Sequence, residues 1–255
     1  MYFNNVHILF FVAIAALGLV VGKFIAWCNI RLPENKKIFS TEFFEINKKG
    51  LPYNYVFMIL VAILYICVLY KYGIKKDDFF KNLDLIKFII LIPMLILTFF
   101  IDFKHRIIPN RLNLTIFEFG LFITFVYGIN NVNMAKDYII GMFTGCIIFG
   151  IITLLGKIIS GKEAMGLGDV KFAGAIGIFY GMSSIAEISL MSFVIAAIFS
   201  IFIIIIRLIR KVKDDYIAFG PFIAMSALIC IFLPAGTVIN TFLMICQNIS
   251  EKVLM

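Results

Sequence analysis

Long runs of apolar residues follow one another along the whole chain, and they restrict its possible folds more than any other feature does. Of the 255 residues, 62% are hydrophobic, and the mean hydropathy is +1.04. An ordinary soluble domain is about 45–50% apolar, whereas a helix that crosses a membrane needs about 20 apolar residues. The runs therefore predict an all-α membrane protein, a polytopic bundle of about eight transmembrane helices that forms one domain over residues 1–255.

The predicted spans are joined by short polar segments. No Lys or Arg precedes the first apolar run, which is also too long for the apolar region of a signal peptide, so it is interpreted as a retained span. The sixth run is short and rich in glycine, and the eighth is long enough to tilt or to kink at Pro234. The spans are predicted near residues 7–30, 53–70, 86–101, 112–128, 138–159, 165–180, 184–206 and 217–246.

The basic residues of the short loops predict the orientation, because cytoplasmic loops carry an excess of Lys and Arg. With the amino terminus outside, 15 of the 23 Lys and Arg residues fall in inside loops and seven in outside loops, while Lys23 lies in the first span. The net charge of +8 is then mostly a signal of topology, and it gives no reason to expect a nucleic-acid partner.

Cysteine and histidine usage excludes several kinds of site. The five cysteines fall in apolar runs and form no CxxC pair, so they are interpreted as small buried side chains. His7 and His105 are the only histidines, and no HExxH motif is present, which excludes a typical zinc metalloprotease.

Two aspartates stand out, because ionisable residues in or at the ends of spans are costly and indicate a functional site. Asp102 closes the third predicted span in FFIDFKHRIIPN, and Asp169 opens the sixth in GLGDVK. Both are predicted at the inner membrane boundary, on helices that could bring them face to face. Such a pair shares a proton, so one carboxylate can activate water while the other donates to a scissile carbonyl. The alternative is that each is an interfacial charge, paired with His105 or Arg106 and with Lys171.

Glycines and prolines predict the local backbone. Gly166 and Gly168 would permit irregular backbone beside the second aspartate, where an extended peptide could approach closely. Pro109 predicts a turn over residues 103–110. Gly141 and Gly145 form a small-xxx-small pair, which predicts close helix packing in the fifth span.

Four motifs, in order along most of the chain, resemble those of the type IV prepilin peptidases, a family of GxGD aspartic proteases. GKEAMGLGDVKFAGAIG resembles the GxGD region, and FFIDFKHRIIPN is similar to the other aspartate motif, an Asp followed seven residues later by Pro. GLVVGKFIAWCNIRLP resembles the first span and its Arg-Leu-Pro exit, and AFGPFIAMSAL the Phe-Gly-Pro segment that opens the final span.

The resemblance implies an aspartic endopeptidase in the bacterial cytoplasmic membrane, with a catalytic helix core over residues 86–255. Its catalytic pair would be Asp102 and Asp169. The substrates would be type IV prepilins or pseudopilins, cleaved at the cytoplasmic face after the glycine that ends a short basic leader.

The resemblance also suggests roles for residues near the aspartates. Glu163 and Lys171 match family positions. Glu163 would receive the basic leader or be a solvated loop acid, and Lys171 would influence the pair or reach lipid headgroups. Arg31 and Pro33 could shape the substrate entrance, although Arg31 could equally anchor the topology. Glu118 and Glu187 are interpreted as packing or helix–helix hydrogen-bonding residues.

The loop between the first two spans departs from the family. Full-length members have a large loop there, usually with two zinc-binding CxxC pairs, associated with methylation of the new amino terminus by S-adenosylmethionine. Here the loop, residues 31–52, is short and has no cysteine. We therefore expect no metal and no cofactor, with S-adenosylmethionine needed only if methylation is retained.

Three other classes were weighed. A presenilin-type protease shares the chemistry but places both aspartates well inside its helices. A rhomboid-like protease needs a Ser–His pair, and Ser183 and His105 are predicted on opposite faces. An ion-coupled transporter could use Asp102 and Asp169, but no inverted repeat is apparent in the sequence.

Overall fold

The computed structural model describes residues 2–3, 6–38, 54–74, 79–161, 165–210 and 218–254. These residues are almost entirely helical, and a two-stranded antiparallel hairpin of Tyr2–Phe3 (β1) and Val6–His7 (β2) precedes the first helix. The predicted fold class, a polytopic all-helical membrane protein, is confirmed. The chain divides into two compact units, Met1–Phe119 and Gly120–Met255, which are described separately.

The first unit contains three helices and the beginning of a fourth. They are α1 (Ile8–Arg31), α2 (Asn54–Tyr72), α3 (Phe79–His105) and α4 (Asn110–Asn130), whose residues from Gly120 onward belong to the second unit. Glycines let α1 and α2 pack closely. A Cβ atom added at Gly18 would lie 2.6 Å from the Cα of Ala62, and one at Gly22 would lie 2.7 Å from the carbonyl oxygen of Phe57.

A proline within α3 explains one buried hydrogen bond between helices. Pro93 has no N–H, so the carbonyl of Ile89, four residues earlier, lacks its intrahelical donor. The hydroxyl of Tyr65 on α2 donates to this carbonyl at 2.7 Å. An unsatisfied carbonyl would be costly in an apolar environment. The Tyr65 hydroxyl therefore compensates for the missing N–H of the proline, and its hydrogen bond connects α2 to α3.

The second unit is organised around a short buried helix. Its helices, besides the end of α4, are α5 (Val132–Ser160), α6 (Leu167–Tyr180), α7 (Met182–Arg210), α8 (Gly220–Phe232) and α9 (Thr237–Leu254). Nine of the 14 residues of α6 are buried. Thr124 of α4 donates to the carbonyl of Ile178 at 3.3 Å, and the hydroxyl of Tyr180 donates to the carbonyl of Ala227 in α8 at 2.6 Å.

Small residues allow α5 and α6 to make backbone contact, which confirms the close packing predicted from Gly141 and Gly145. A Cβ atom added at Gly141 would lie 2.6 Å from the carbonyl oxygen of Gly177, and one at Gly145 would lie 2.6 Å from that of Ala173. The glycine-rich composition of α6 therefore serves a buried contact between helices.

Six of the eight predicted spans correspond to helices that are long and apolar enough to cross a membrane, among the described residues. The sixth prediction, 165–180, corresponds to α6, whose 14 residues are shorter than the usual span. The eighth, 217–246, corresponds to α8 and α9, which meet at an angle of 101° near Pro234. Buried Glu187 of α7 accepts a hydrogen bond from the amide of Gly236 at this bend. Its partner therefore lies in the connection between α8 and α9, whereas the sequence predicted packing or a hydrogen bond between helices.

Candidate active site

Asp102 lies in the last turn of α3, and its side chain is only 4% exposed. The helix ends at His105, where the amide of Arg106 donates to the carbonyl of Asp102 at 2.8 Å and Arg106 has a φ of 57°. Residues 106–109 then join α3 to α4, and the carbonyl of Pro109 accepts from the amide of Leu112 at 3.0 Å. The turn predicted around Pro109 is present over residues 106–109, and it begins directly after the helical turn that contains Asp102.

The segment that follows α1 is fixed near the same end of α3. The indole N–H of Trp27 donates to the carbonyl of Ile38 at 2.9 Å, and the Arg31 guanidinium donates to the carbonyl of Lys37 at 2.7 Å. The guanidinium also stacks 4.2 Å from the centre of the Trp27 ring and is 7% exposed. No motif in the sequence predicts this arrangement, although Trp27 is the only tryptophan of the chain.

Glu34 lies on the exposed side of this segment. Its carboxylate is 2.5 Å from the Lys36 ammonium. The hydrogen bond and charge of Lys36 lower the pKa of Glu34, with smaller contributions in the same direction from the charges of His105 and Arg31. Ile38 of this segment lines the same cavity as Arg111 and Leu112, which lie in the first turn of α4, directly after the connection from α3.

Asp169 lies in the first turn of α6 and is 9% exposed. Its amide donates to the carbonyl of Gly166 at 3.0 Å, which closes the first turn of the helix. The partial positive charge of a helix amino terminus favours a carboxylate at this position by about 0.3–1 kcal/mol. Because α6 is packed on several sides, the position of Asp169 is determined by the core of the second unit.

The backbone beside Asp169 differs in detail from the expectation. Gly166 is the N-cap of α6 with φ −72° and ψ 146°, a conformation that any residue can adopt, and Gly168 lies within the helix. A Cβ atom added at Gly166 would be 3.6 Å from a carboxylate oxygen of Asp169. Among the described residues, only Asp169 and Gly168 come within 4 Å of that Cβ position, so the glycine leaves open space beside the carboxylate in this part of the structure, and no unusual dihedral angle requires it.

The Phe-Gly-Pro segment at the start of α8 contributes to an aromatic cluster in the second unit. Phe219, the N-cap of α8, has its ring centre 5.2 Å from that of Phe193 and 5.9 Å from those of Phe149 and Phe222. Pro221 occupies the first turn, where a missing N–H has no cost. The motif thus joins α5, α7 and α8.

The other predicted site residues are placed as follows. Lys171 is exposed on α6, and Glu163 lies outside the described residues. Asp102 belongs to the first unit and Asp169 to the second. Across the residues that the structure describes, no three His, Cys, Asp or Glu side chains gather as metal ligands.

The fold and these side chains define a class, the polytopic membrane proteins with a buried aspartate at each of two helix ends. Residues 89–201, which include Asp102 and Asp169, match the type IV leader peptidase family. The resemblance indicated by the sequence motifs is therefore confirmed.

Several curated relatives carry the name prepilin leader peptidase/N-methyltransferase. The protein from Xanthomonas campestris is 29% identical over 175 residues, which are 68% of this chain and 56% of the relative. The one from Aeromonas hydrophila is 28% identical over 52% of this chain and 44% of its own. The one from Haemophilus influenzae is 27% identical over 79% of this chain and 80% of its own. The chain thus spans about half the length of the first two relatives. No solved structure matches the chain.

Proposed function

We propose that this protein is a membrane aspartic endopeptidase that removes the basic leader from type IV prepilins or pseudopilins. The observation that carries the proposal is that the family match covers two aspartates that are both buried at helix ends. Burying an ionisable side chain in a membrane protein is costly. Two such residues within one peptidase domain are best explained as its catalytic pair.

In the proposed mechanism, Asp102 and Asp169 act together at one site on a bound water and the scissile peptide. The ionised carboxylate accepts a proton from the water as its oxygen forms a bond to the carbonyl carbon. The protonated carboxyl donates its proton to the carbonyl oxygen, which yields a tetrahedral diol. Collapse of the diol breaks the C–N bond: the departing amine takes the proton that came from the water, and a diol hydroxyl returns a proton to the other carboxylate. Neither a metal nor a covalent intermediate is needed.

The helix dipoles suggest which aspartate has which role. Asp169 lies at the amino terminus of α6, where negative charge is favoured, and Asp102 lies near the carboxyl terminus of α3, where it is disfavoured. We therefore assign Asp169 as the base that activates water and Asp102 as the initial proton donor. The open space beside Gly166 would admit the substrate backbone.

The proposal also includes the location of the reaction. The excess of Lys and Arg in alternate loops supports an active site at the cytoplasmic face of the bacterial plasma membrane, with cleavage after a glycine. Glu163 remains our proposed partner for the basic leader, and exposed Lys171 a proposed contact of the substrate or of lipid headgroups.

The test is co-expression with a prepilin that has a Gly–Phe junction, followed by mass spectrometry of the pilin amino terminus. Asp102→Asn and Asp169→Asn should each abolish processing while the protein is still inserted in the membrane. Glu118→Gln, the same acid-to-amide change at an exposed position of α4, should leave processing intact.

Normal processing by either aspartate variant would refute the proposal and favour the ion-coupled transporter. The same spectrum reports a methyl group on the new terminus. This tests the N-methyltransferase activity that the relatives' names include, which we expect to be absent because the loop over 31–52 is short.

A further inference from the structure

The first unit contains a large apolar cavity of about 680 Å³. It is lined by residues of α1 from Leu17 to Cys28, by Leu32 and Ile38 after that helix, by Tyr65 of α2, by residues of α3 around Pro93, and by the beginning of α4. Two of the lining residues, Leu17 and Phe24, are 46% and 38% exposed on the surface of α1. The cavity is thus a groove that can be reached from the side of the helices, where acyl chains would lie.

One end of this groove is basic. Arg111 lines the cavity in the first turn of α4 and is exposed. No hydrogen bond or ion pair of its guanidinium is found within the described residues, and only its backbone carbonyl accepts, from Thr115. Lys104 and His105 lie in the last turn of α3, just across the 106–109 connection.

We propose that the groove binds an anionic phospholipid, with an acyl chain along α1 and the headgroup phosphate against Arg111. The site is complementary to this ligand. The apolar groove matches the acyl chain, and Arg111, which lacks a partner in the described structure, matches the negatively charged phosphate. Basic pockets between membrane helices bind anionic headgroups, and a guanidinium forms two parallel hydrogen bonds with a phosphate.

The driving force must come mainly from the headgroup. Lipid tails are as apolar as the groove, so moving an acyl chain from the bilayer into it gains little from the hydrophobic effect. A zwitterionic lipid with the same chains would therefore bind more weakly. The charge-assisted bonds to Arg111 are expected to give anionic lipid an advantage of about tenfold.

The same charges argue against the leader peptide as the occupant. The proposed leader is basic, and so are Arg111, Lys104 and the lysines after α1, which would repel it. The lipid site does not depend on the proposed peptidase activity, since it rests on the first unit alone.

The experiment is native mass spectrometry of the full chain in detergent, titrated with phosphatidylglycerol or with phosphatidylcholine of the same acyl chains. We expect one phosphatidylglycerol to bind about tenfold more tightly than phosphatidylcholine. Arg111→Gln should abolish that preference. Lys104→Gln removes an equal charge on the other side of the 106–109 connection, at a residue that does not line the groove, and it should retain the preference. Val21→Trp, which fills the groove, should weaken the binding of both lipids.

Four results would overturn the proposal. Equal affinities of the wild type for the two lipids would show that no headgroup site exists. Equal losses in Arg111→Gln and Lys104→Gln would show attraction to general surface charge, and full binding by folded Val21→Trp would place the lipid elsewhere. Displacement of phosphatidylglycerol by an apolar prepilin segment would assign the groove to the substrate instead.

Discussion

The contact between α5 and α6 should be sensitive to a single methyl group. A Cβ atom at Gly145 would lie 2.6 Å from the carbonyl oxygen of Ala173 and 2.9 Å from its carbonyl carbon. Ordinary contact begins at 3.4 Å, so Gly145→Ala requires the helices to separate by about 0.8 Å. Both neighbouring atoms belong to the backbone, and no side-chain rotation can relieve the overlap.

We expect overpacking in Gly145→Ala to lower the free energy of unfolding by about 1–3 kcal/mol. The better helix propensity of alanine offsets about 0.5–1 kcal/mol of this loss. Ala173 lies one turn after Asp169 on α6, so the displacement should also reduce prepilin processing. The two measurements are the midpoint of thermal unfolding in detergent and the processed fraction of a co-expressed prepilin.

Gly150→Ala is the matched control, since it is the same substitution on the same helix. Its Cβ would meet Val170 at 3.9 Å, an ordinary contact. This variant should be at least as stable as the wild type. If Gly145→Ala proves as stable and as active as Gly150→Ala, the argument that backbone contact with α5 positions α6 is wrong.

Substitutions at three further positions test contacts seen in the structure. Trp27→Phe removes the indole N–H that donates to the segment after α1. We expect the free energy of unfolding to fall by about 1 kcal/mol and proteolysis of that segment to become faster. An unchanged rate of proteolysis would contradict this. Glu187→Leu leaves the amide of Gly236 without its acceptor and should lower the free energy of unfolding by about 1–3 kcal/mol. The amide oxygen of Glu187→Gln can still accept this hydrogen bond. The midpoint of thermal unfolding should therefore be highest for the wild type, lower for Glu187→Gln and lowest for Glu187→Leu. Lys36 lowers the pKa of Glu34, so the pair is intact at neutral pH and is lost as the pH falls through that lowered pKa, below the ordinary 4.5. NMR titration of Lys36→Met should show the pKa of Glu34 moving back up, and no movement would refute the pairing.

Much of the fold could be read from the sequence, because crossing a membrane depends on local composition. A helix satisfies its own backbone hydrogen bonds, so a sufficiently long apolar run becomes a span whatever its neighbours are. The turn after Asp102 was predictable for a similar reason, since Pro109 acts on its own backbone. The small-residue pair Gly141 and Gly145 also predicted close helix packing, because two glycines at this spacing let a neighbouring helix approach the backbone.

The environment of α6 could not be predicted from its local sequence. Composition predicted a sixth span over 165–180, and the structure has a 14-residue helix buried between others. An apolar segment has the same hydropathy whether it faces lipid or protein, so only the packing around it could distinguish the two. The expected backbone irregularity at Gly166 was likewise replaced by an ordinary N-cap with open space beside the carboxylate.

The sequence by itself determined the class of protein, the approximate spans and the two aspartates, since each depends on composition or on a short motif. The tertiary structure decided what those motifs contact. It buried Asp102 and Asp169, tied the segment after α1 through Trp27 and Arg31, and formed the groove that ends at Arg111. These features depend on residues far apart in the chain meeting at contact distance, and that information is absent from any single stretch of sequence.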